Sequence, residues 1–325
     1  MIKVSVIIPI YNVAKFIVKC TESLMQQTLE EVEYIFVNDS TKDESMILLS
    51  ETLLKYPERM DHIKIIEHKC NMGLPAARNS GLSVAQGEYI FHCDSDDYMD
   101  FDMLEILYNK ALDNNADIVW CDWFLTLKQN NYYRCQPSFF SPLEAIKGML
   151  TGNMVYNVWN KLVKRSLYID NNIEFPKGYP MGEDMTMVML FACASKVAYV
   201  PRAFYHYVKL NTYSYTNSFF DNVKYLEYNI NRVTNYLKDK YGDNLDNEIA
   251  CMKLDAKLPL LLSSKKQEYN YWCNLFSEAN YYVLQNKSIS LRLRCLEWLA
   301  WKRQFWLVWL HYWLVCRFYY QIKYK

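Results

Sequence analysis

The sequence predicts an α/β fold, a mostly parallel, doubly wound sheet followed by a helical C-terminal extension. Three observations carry that expectation. Residues 4–121 alternate strand-length apolar runs with stretches of helical period. The first of these runs are apolar nearly throughout, as strands covered on both faces must be. Beyond residue 218 the pattern is helical to the end.

The elements follow in order. Val4–Ile10 is β-branched and of buried-strand length. Residues 13–27 place Phe16, Cys20, Ser23, Leu24 and Gln27 three or four apart, which predicts a helix. A second strand over 33–38 runs into the polar Asn38-Asp39-Ser40-Thr41, and a helix over 42–55 follows. A third strand (63–66), a short helix (75–85) and a fourth strand (89–93) come next, the last running into Asp94-Ser95-Asp96-Asp97. A helix over 101–114 precedes a fifth strand at 118–121. Alternation at this spacing argues for a parallel sheet wound by crossover helices. Helices over 142–152, 157–171 and 184–195, a strand over 197–200 and an aromatic stretch over 204–207 complete the reading. Two domains are expected, 1–217 and 218–325.

Composition narrows the function. Of 325 residues 51% are hydrophobic and 22% charged, which excludes a disordered chain. Lys plus Arg and Asp plus Glu are 36 each, so no bulk charge favours nucleic acid. Ten cysteines form no C-x-x-C pair and no His cluster accompanies them, so no zinc site is expected. Met1-Ile2-Lys3 leads straight into the first strand without a signal peptide. With scattered cysteines, that points to a reducing cytoplasm.

In open α/β sheets, ligands sit beyond the carboxyl ends of the strands. The polar residues of this sequence fall there. The first strand ends in Pro9-Ile10-Tyr11-Asn12, the second in Asn38-Asp39, and the fourth in the acidic cluster. Three carboxylates within four residues repel one another unless a cation compensates. Carboxylate ligation suits Mg²⁺ or Mn²⁺, which also grip substrate phosphates. The competing reading makes Asp96 or Asp97 a helix N-cap. Arg78 lies one turn into a helix opened by Pro75, where it could meet an anion or form a surface salt bridge. Glu183-Asp184 starts another helix, either as a cap or as a general base. No G-x-G-x-x-G and no G-x-x-x-x-G-K-[ST] is present, so dinucleotide and P-loop readings fail.

These motifs resemble family 2 glycosyltransferases of the inverting, bacterial polysaccharide type, over roughly residues 3–216. The pieces are Ser5 through Asn12, Val37 through Thr41, Asn71 through Gly81, Gly87 through Asp97, Trp159-Asn160-Lys161 and Glu183-Asp184. The resemblance implies a Rossmann-like GT-A fold and a nucleotide-sugar donor, UDP-linked. It implies that Pro9, Tyr11 and Asn12 line the nucleoside pocket and that Asp39 accepts from the uracil edge. Arg78 would approach the diphosphate, and Asp94 and Ser95 would contact the nucleotide. Asp96 and Asp97 would hold Mn²⁺ or Mg²⁺, and Asp184 would be the general base. One departure stands out: Val208 occupies a position where such enzymes often carry Arg, with a Ser near Ser214. Lys209 or His206 is then the candidate substitute.

The C-terminal segment is different again. Residues 291–325 hold Arg292, Arg294, Lys302, Arg303, Arg317, Lys323 and Lys325 against one acid, Glu297, together with Trp298, Trp301, Trp306, Trp309 and Trp313. The uncharged stretch 304–316 is too short for a bilayer, which needs ~20 residues. A basic, Trp-rich helix suits a membrane interface; docking on the core or on a second copy is the alternative. The expectation is an inverting glycosyltransferase on the inner face of the cell membrane, using a glycan or lipid-linked acceptor. The rivals are a metal-dependent nucleotidyltransferase, which lacks its Gly-rich, Lys-bearing entry loop here, and a non-catalytic membrane module.

Overall fold

The computed structural model describes residues 1–128, 130–209 and 219–319. The chain forms two compact units. Met1–Ile146 with Val155–Val233 makes the first, and Lys147–Met154 with Thr234–Lys325 the second.

The first unit opens with β1 (Val4–Ile10), α1 (Ile17–Met25), β2 (Val32–Asn38), α2 (Ser45–Leu53), β3 (Ile63–Glu67), α3 (Leu74–Val84) and β4 (Tyr89–His92). Every residue of β1, β2 and β4 is buried, as strands sandwiched between helices require. These four strands pair in parallel in the order β3-β2-β1-β4. Two glycines permit the close layering. A Cβ on Gly81 would run into Ile7 of β1, and one on Gly87 would lie 2.5 Å from the Ser5 nitrogen.

Next come β5 (Tyr98–Met99), α4 (Met103–Asn114), β6 (Ile118–Leu127), β7 (Asn130–Arg134), α5 (Pro142–Leu150), β8 (Lys161–Lys164), α6 (Arg165–Asp170), α7 (Thr186–Cys193) and β9 (Val197–Val208). The sheet continues β4-β8-β6-β9-β5, with β7 on β6. β8 runs antiparallel to β4 and β6, while β6 and β9 are parallel. Paired residues in parallel register outnumber antiparallel ones across the ladders, so the sheet is mostly parallel.

Several elements differ from the sequence reading: β5 and β7 are not expected from it, and β6 runs on to Leu127. Residues 157–171 do not form one helix, because 161–164 are a strand ahead of α6. Leu162 and Val163 are buried between two partner strands, and that tertiary pairing overrides local period. The strand and the aromatic stretch after 197 are one strand, β9, whose pairing with β6 shifts register at Asp122. Asp122 is buried and accepts hydrogen bonds from the Tyr133 and Tyr199 hydroxyls and the Gln136 N–H.

α8 (Phe219–Tyr241) carries the chain out of the first unit. The second unit is built from α9 (Asp246–Lys257), α10 (Lys266–Asn274), α11 (Leu291–Trp301) and α12 (Phe305–His311), which continues as a π-helix over Tyr312–Tyr319. Leu254, Leu261, Trp272, Val283, Leu296, Ala300 and Val308 form its core. Buried Lys257 donates to the carbonyls of Trp272, Leu275 and Phe276 and to Asn280 Oδ1, fixing the turn after α10. α11 contributes Leu296 and Ala300 to that core.

Candidate active site

The first strand end is tied to its neighbours. Ser95 Oγ donates to the Pro9 carbonyl at 2.6 Å, joining the loop after β4 to the end of β1. Tyr11 follows, 40% exposed. Asn12 adopts φ 55°, and its N–H donates to Thr41 Oγ1 at 2.8 Å. Asp43 accepts from Thr41 Oγ1 and from the N–H groups of Ser45 and Ala14. The loops after β1 and β2 thus form one hydrogen-bonded rim, with Tyr11 and Asn12 on its outside.

Asp39 sits buried at the end of β2. Its Oδ1 takes His68 Nδ1 at 2.8 Å and the Met72 N–H at 2.7 Å; its Oδ2 takes the Gly73 N–H at 2.8 Å. His68 Nε2 reaches Ser80 Oγ on α3 at 2.9 Å. Asp39 is therefore the anchor of the loop that launches α3, and Gly73, at φ 85°, is the residue that lets the chain turn there.

Arg78 is carried on α3 and is 1% exposed. Its Nη2 meets Asp94 Oδ1 at 2.9 Å and Asp184 Oδ1 at 3.9 Å. Its Nε and Nη1 have no hydrogen-bond partner. A buried guanidinium with two unsatisfied nitrogens is costly unless something fills them. Asp184 lies in a tight turn, Glu183–Met185, after Gly182 at φ 85°. Burial pushes its carboxyl up to about 6, with Arg78 opposing and Asp94 adding, and Lys161 and a backbone hydrogen bond from Val158 also opposing. Neighbouring Glu183 is buried, and burial and the Asp184 charge raise its pKa well above the usual carboxylate range.

Lys161 is wholly buried at the start of β8. Its Nζ donates to the carbonyls of Val155 (2.9 Å) and Asn157 (2.8 Å) and to Asn160 Oδ1 (2.8 Å). Burial pulls the ammonium down to about 7, against the Asp184 charge. The loop it holds delivers the Val158 bond to Asp184. The same loop sets Trp159 against Tyr205 (ring centroids 4.7 Å, 13°) and Tyr207 (5.4 Å, 7°). Trp123 meets Trp159 edge-on at 5.1 Å. Tyr205 and Tyr207 share a face of β9; burial, with the charges of Asp97, Asp94, Asp96 and Asp184 adding, pushes the Tyr207 hydroxyl up to about 12.

Within the acidic loop, Asp94 takes Arg78 through its side chain, and its N–H donates to the Tyr205 hydroxyl at 3.0 Å. Asp96 is half-buried. Asp97 is 2% exposed; its Oδ1 accepts the Val208 N–H at 2.7 Å and its Oδ2 has no hydrogen-bond partner. Burial, with Asp96 and Asp94 adding, drives its pKa well above the carboxylate range. An orphaned, buried acid oxygen beside a second carboxylate is chemistry that a divalent cation would relieve. Among the described residues no group of three or more His, Cys, Asp or Glu is arranged to hold a metal. An ion placed here would rest on two carboxylates, with water and substrate phosphate completing its shell.

Sequence reasoning named most of these side chains but missed Tyr205 and the loop-holding role of Lys161. The alternation within Phe204-Tyr205-His206-Tyr207 was the available signal for Tyr205. Of the two proposed stand-ins near Val208, His206 is engaged by Asp100 at 3.0 Å and sandwiched between Tyr98 and Phe124. Lys209 is exposed and its N–H donates to the Thr126 carbonyl. Ser214 lies outside the described residues. At position 208 it is the backbone N–H that meets the acidic cluster.

Comparison with known proteins fits this geometry. The family profile described as Glycosyl transferase family 2 matches residues 5–175. The chain is 36% identical over 218 residues to the cholesterol galactosyltransferase of Borreliella burgdorferi, covering 62% of this chain and 59% of that protein. It is 33% identical over 212 residues to the uncharacterized glycosyltransferase EpsJ of Bacillus subtilis, covering 63% and 60%. The alignments thus span about 60% of each relative's length. S. aureus TarS 1–349, solved in complex with UDP-GlcNAc, superposes with a TM-score of 0.72 over 96% of this chain and 91% of that one, at 19% identity. That likeness establishes a GT-A-type fold. With a profile match over more than half its length, the chain belongs to glycosyl transferase family 2.

Proposed function

We propose that this protein is an inverting glycosyltransferase that moves a sugar from a UDP-linked donor to a hydroxyl of a glycan or lipid-linked glycan. The observation that carries this reading is the Asp94–Arg78–Asp184 array at the rim of the sheet: two carboxylates and one buried guanidinium with two unfilled nitrogens. Pro9, Tyr11, Asn12 and Asp39 would receive the nucleoside, with Tyr11 against the base and Asp39 toward the uracil edge. Asp94 and Ser95 would border the nucleotide. Arg78 would fill its Nε and Nη1 with diphosphate oxygens.

Asp184 would take the proton from the acceptor hydroxyl. That oxygen then forms a bond to the anomeric carbon as the bond from that carbon to the UDP oxygen breaks. With a pKa near 6, Asp184 is ionised at neutral pH yet basic enough to help. A covalent intermediate would need a second ionised carboxylate as nucleophile. Glu183 is the near candidate, and its burial disfavours the charged form. A single displacement follows, with inversion. Asp96 and Asp97 would hold Mg²⁺ or Mn²⁺, whose charge would offset that of the departing diphosphate.

TarS was solved with UDP and with UDP-GlcNAc, and PcManGT of Pyrobaculum calidifontis with GDP-Man and Mn²⁺. Those ligands support a UDP-linked donor and a divalent ion here. We place the enzyme in the cytoplasm, on the inner face of the cell membrane, where a nucleotide sugar and a lipid-linked acceptor would meet. No disulfide joins the described cysteines, which suits a reducing compartment. A zero net charge argues against a nucleic-acid partner. The test is a panel of nucleotide sugars scored for UDP release, with proton NMR of the transferred sugar. Transfer from an α-linked donor should give a β-linked product. No turnover with any nucleotide sugar, or a retained anomer, contradicts the proposal.

A further inference from the structure

The C-terminal segment separates into two parts with different surroundings. In α11, Leu296, Glu297 and Ala300 face the core of the second unit. In α12 and its π-helical continuation, Val308 is buried, whereas Trp306 (60% exposed), Trp309 (39%), Leu310 (39%) and Leu314 (58%) are open. Positions 306, 309, 310 and 314 fall on one helical face, and Val308 on the opposite one. The helix is thus held by one side and presents large apolar side chains on the other. Exposed aliphatic and indole groups in one stripe mark an interaction surface.

The exposed charges within this segment have one sign. Arg292, Lys302 and Arg303 are exposed, the last two at the turn into α12. The only acid between 291 and 319 is Glu297, and it is wholly buried. Burial, with Asp255 adding, raises its pKa to about 8, so it contributes no counter-charge at the surface. Among the described residues no helix is long and apolar enough to cross a membrane. Two identical copies meeting through this face would bring like charges together, which disfavours a homodimer there.

We propose that the Trp306–Leu314 stripe, flanked by Arg292, Lys302 and Arg303, is a docking surface for an anionic lipid bilayer. Indole rings favour the half-wet interfacial layer, aliphatic side chains enter just below it, and basic side chains meet the headgroups. This sharpens the membrane-face location by naming the element that makes contact. α11 acts as the fixed base and α12 as the contact helix.

The test is co-sedimentation of the full chain with vesicles of phosphatidylcholine alone or mixed with phosphatidylglycerol. It uses no donor or acceptor, so its outcome is independent of sugar transfer. Wild type should pellet with the mixed vesicles and be released in part by high salt. Trp306→Ser with Leu310→Ser should weaken binding by ~10-fold or more, because the apolar anchor is lost. Lys302→Glu with Arg303→Glu should abolish the preference for the anionic vesicles. All four positions are exposed, and circular dichroism confirms that each variant is folded. A wild type that ignores both vesicle types, variants that pellet like wild type, or a chain that self-associates through the stripe without lipid overturns the proposal.

Discussion

Replacing Arg78 by Met removes the cation that links the acidic loop to Asp184 while keeping an unbranched stem. Arg78 is 1% exposed, 2.9 Å from Asp94 and 3.9 Å from Asp184, with Glu183 also in its field. Breaking a buried pair from one side costs ~3–5 kcal/mol. For a unit of this size that is a melting-temperature loss of roughly 6–20 °C. The sharper readout is pH. Arg78 holds Asp184 down, and a unit charge at about 4 Å is worth ~4 kcal/mol at an effective dielectric of 20, or roughly three pH units as an upper bound. Water entering the vacated space screens this, so a rise of at least about one unit is expected. Asp184 must be ionised to act as a base. Raising its pKa from about 6 therefore moves the acid limb of kcat to higher pH. The assay is a pH profile of UDP release for wild type, Arg78→Met and Arg78→Lys, the last retaining charge and shifting less. An acid limb that stays in place or moves to lower pH in a folded Arg78→Met protein refutes this electrostatic account.

Two further outcomes follow from the same geometry. Lys161→Met leaves the Val155 and Asn157 carbonyls without their donor and frees the loop that carries Val158 and Trp159. Turnover should fall by up to ~10²-fold, while UDP affinity in calorimetry stays within a few-fold. Removing divalent ions with EDTA should weaken UDP binding, because the diphosphate then loses the ion's compensating charge. Equal affinity with and without Mg²⁺ or Mn²⁺ would remove the ion from donor binding.

Much of the architecture was legible because buried parallel strands advertise themselves. Val4–Ile10 and Val32–Asn38 are apolar runs of the right length, and the polar residues after them are where the chain leaves the sheet. β8 was not legible. Four residues give no period, and only pairing with β4 and β6 makes them a strand. Family motifs gave Arg78, Asp94 and Asp184 separate roles, and local sequence made Arg78 an equally good surface ion pair; only the chain path sets its guanidinium against both carboxylates. Contacts made by backbone groups left no trace in the sequence. The Val208 N–H on Asp97 and the Met72 and Gly73 N–H groups on Asp39 depend on chain path rather than residue type. The C-terminal segment read as apolar all round, and only packing separates its buried Val308 face from the open Trp306 face.

The central claim is that Asp184 supplies base catalysis to sugar transfer at a site that binds the nucleotide without it. The most direct measurement is kcat for UDP release by Asp184→Asn beside its calorimetric affinity for UDP. Asn keeps the size of the side chain and removes its basicity. The account predicts a fall in kcat of ~10²–10⁴-fold, with UDP affinity within a few-fold of wild type. Unchanged turnover, or turnover and UDP binding lost together, would contradict it.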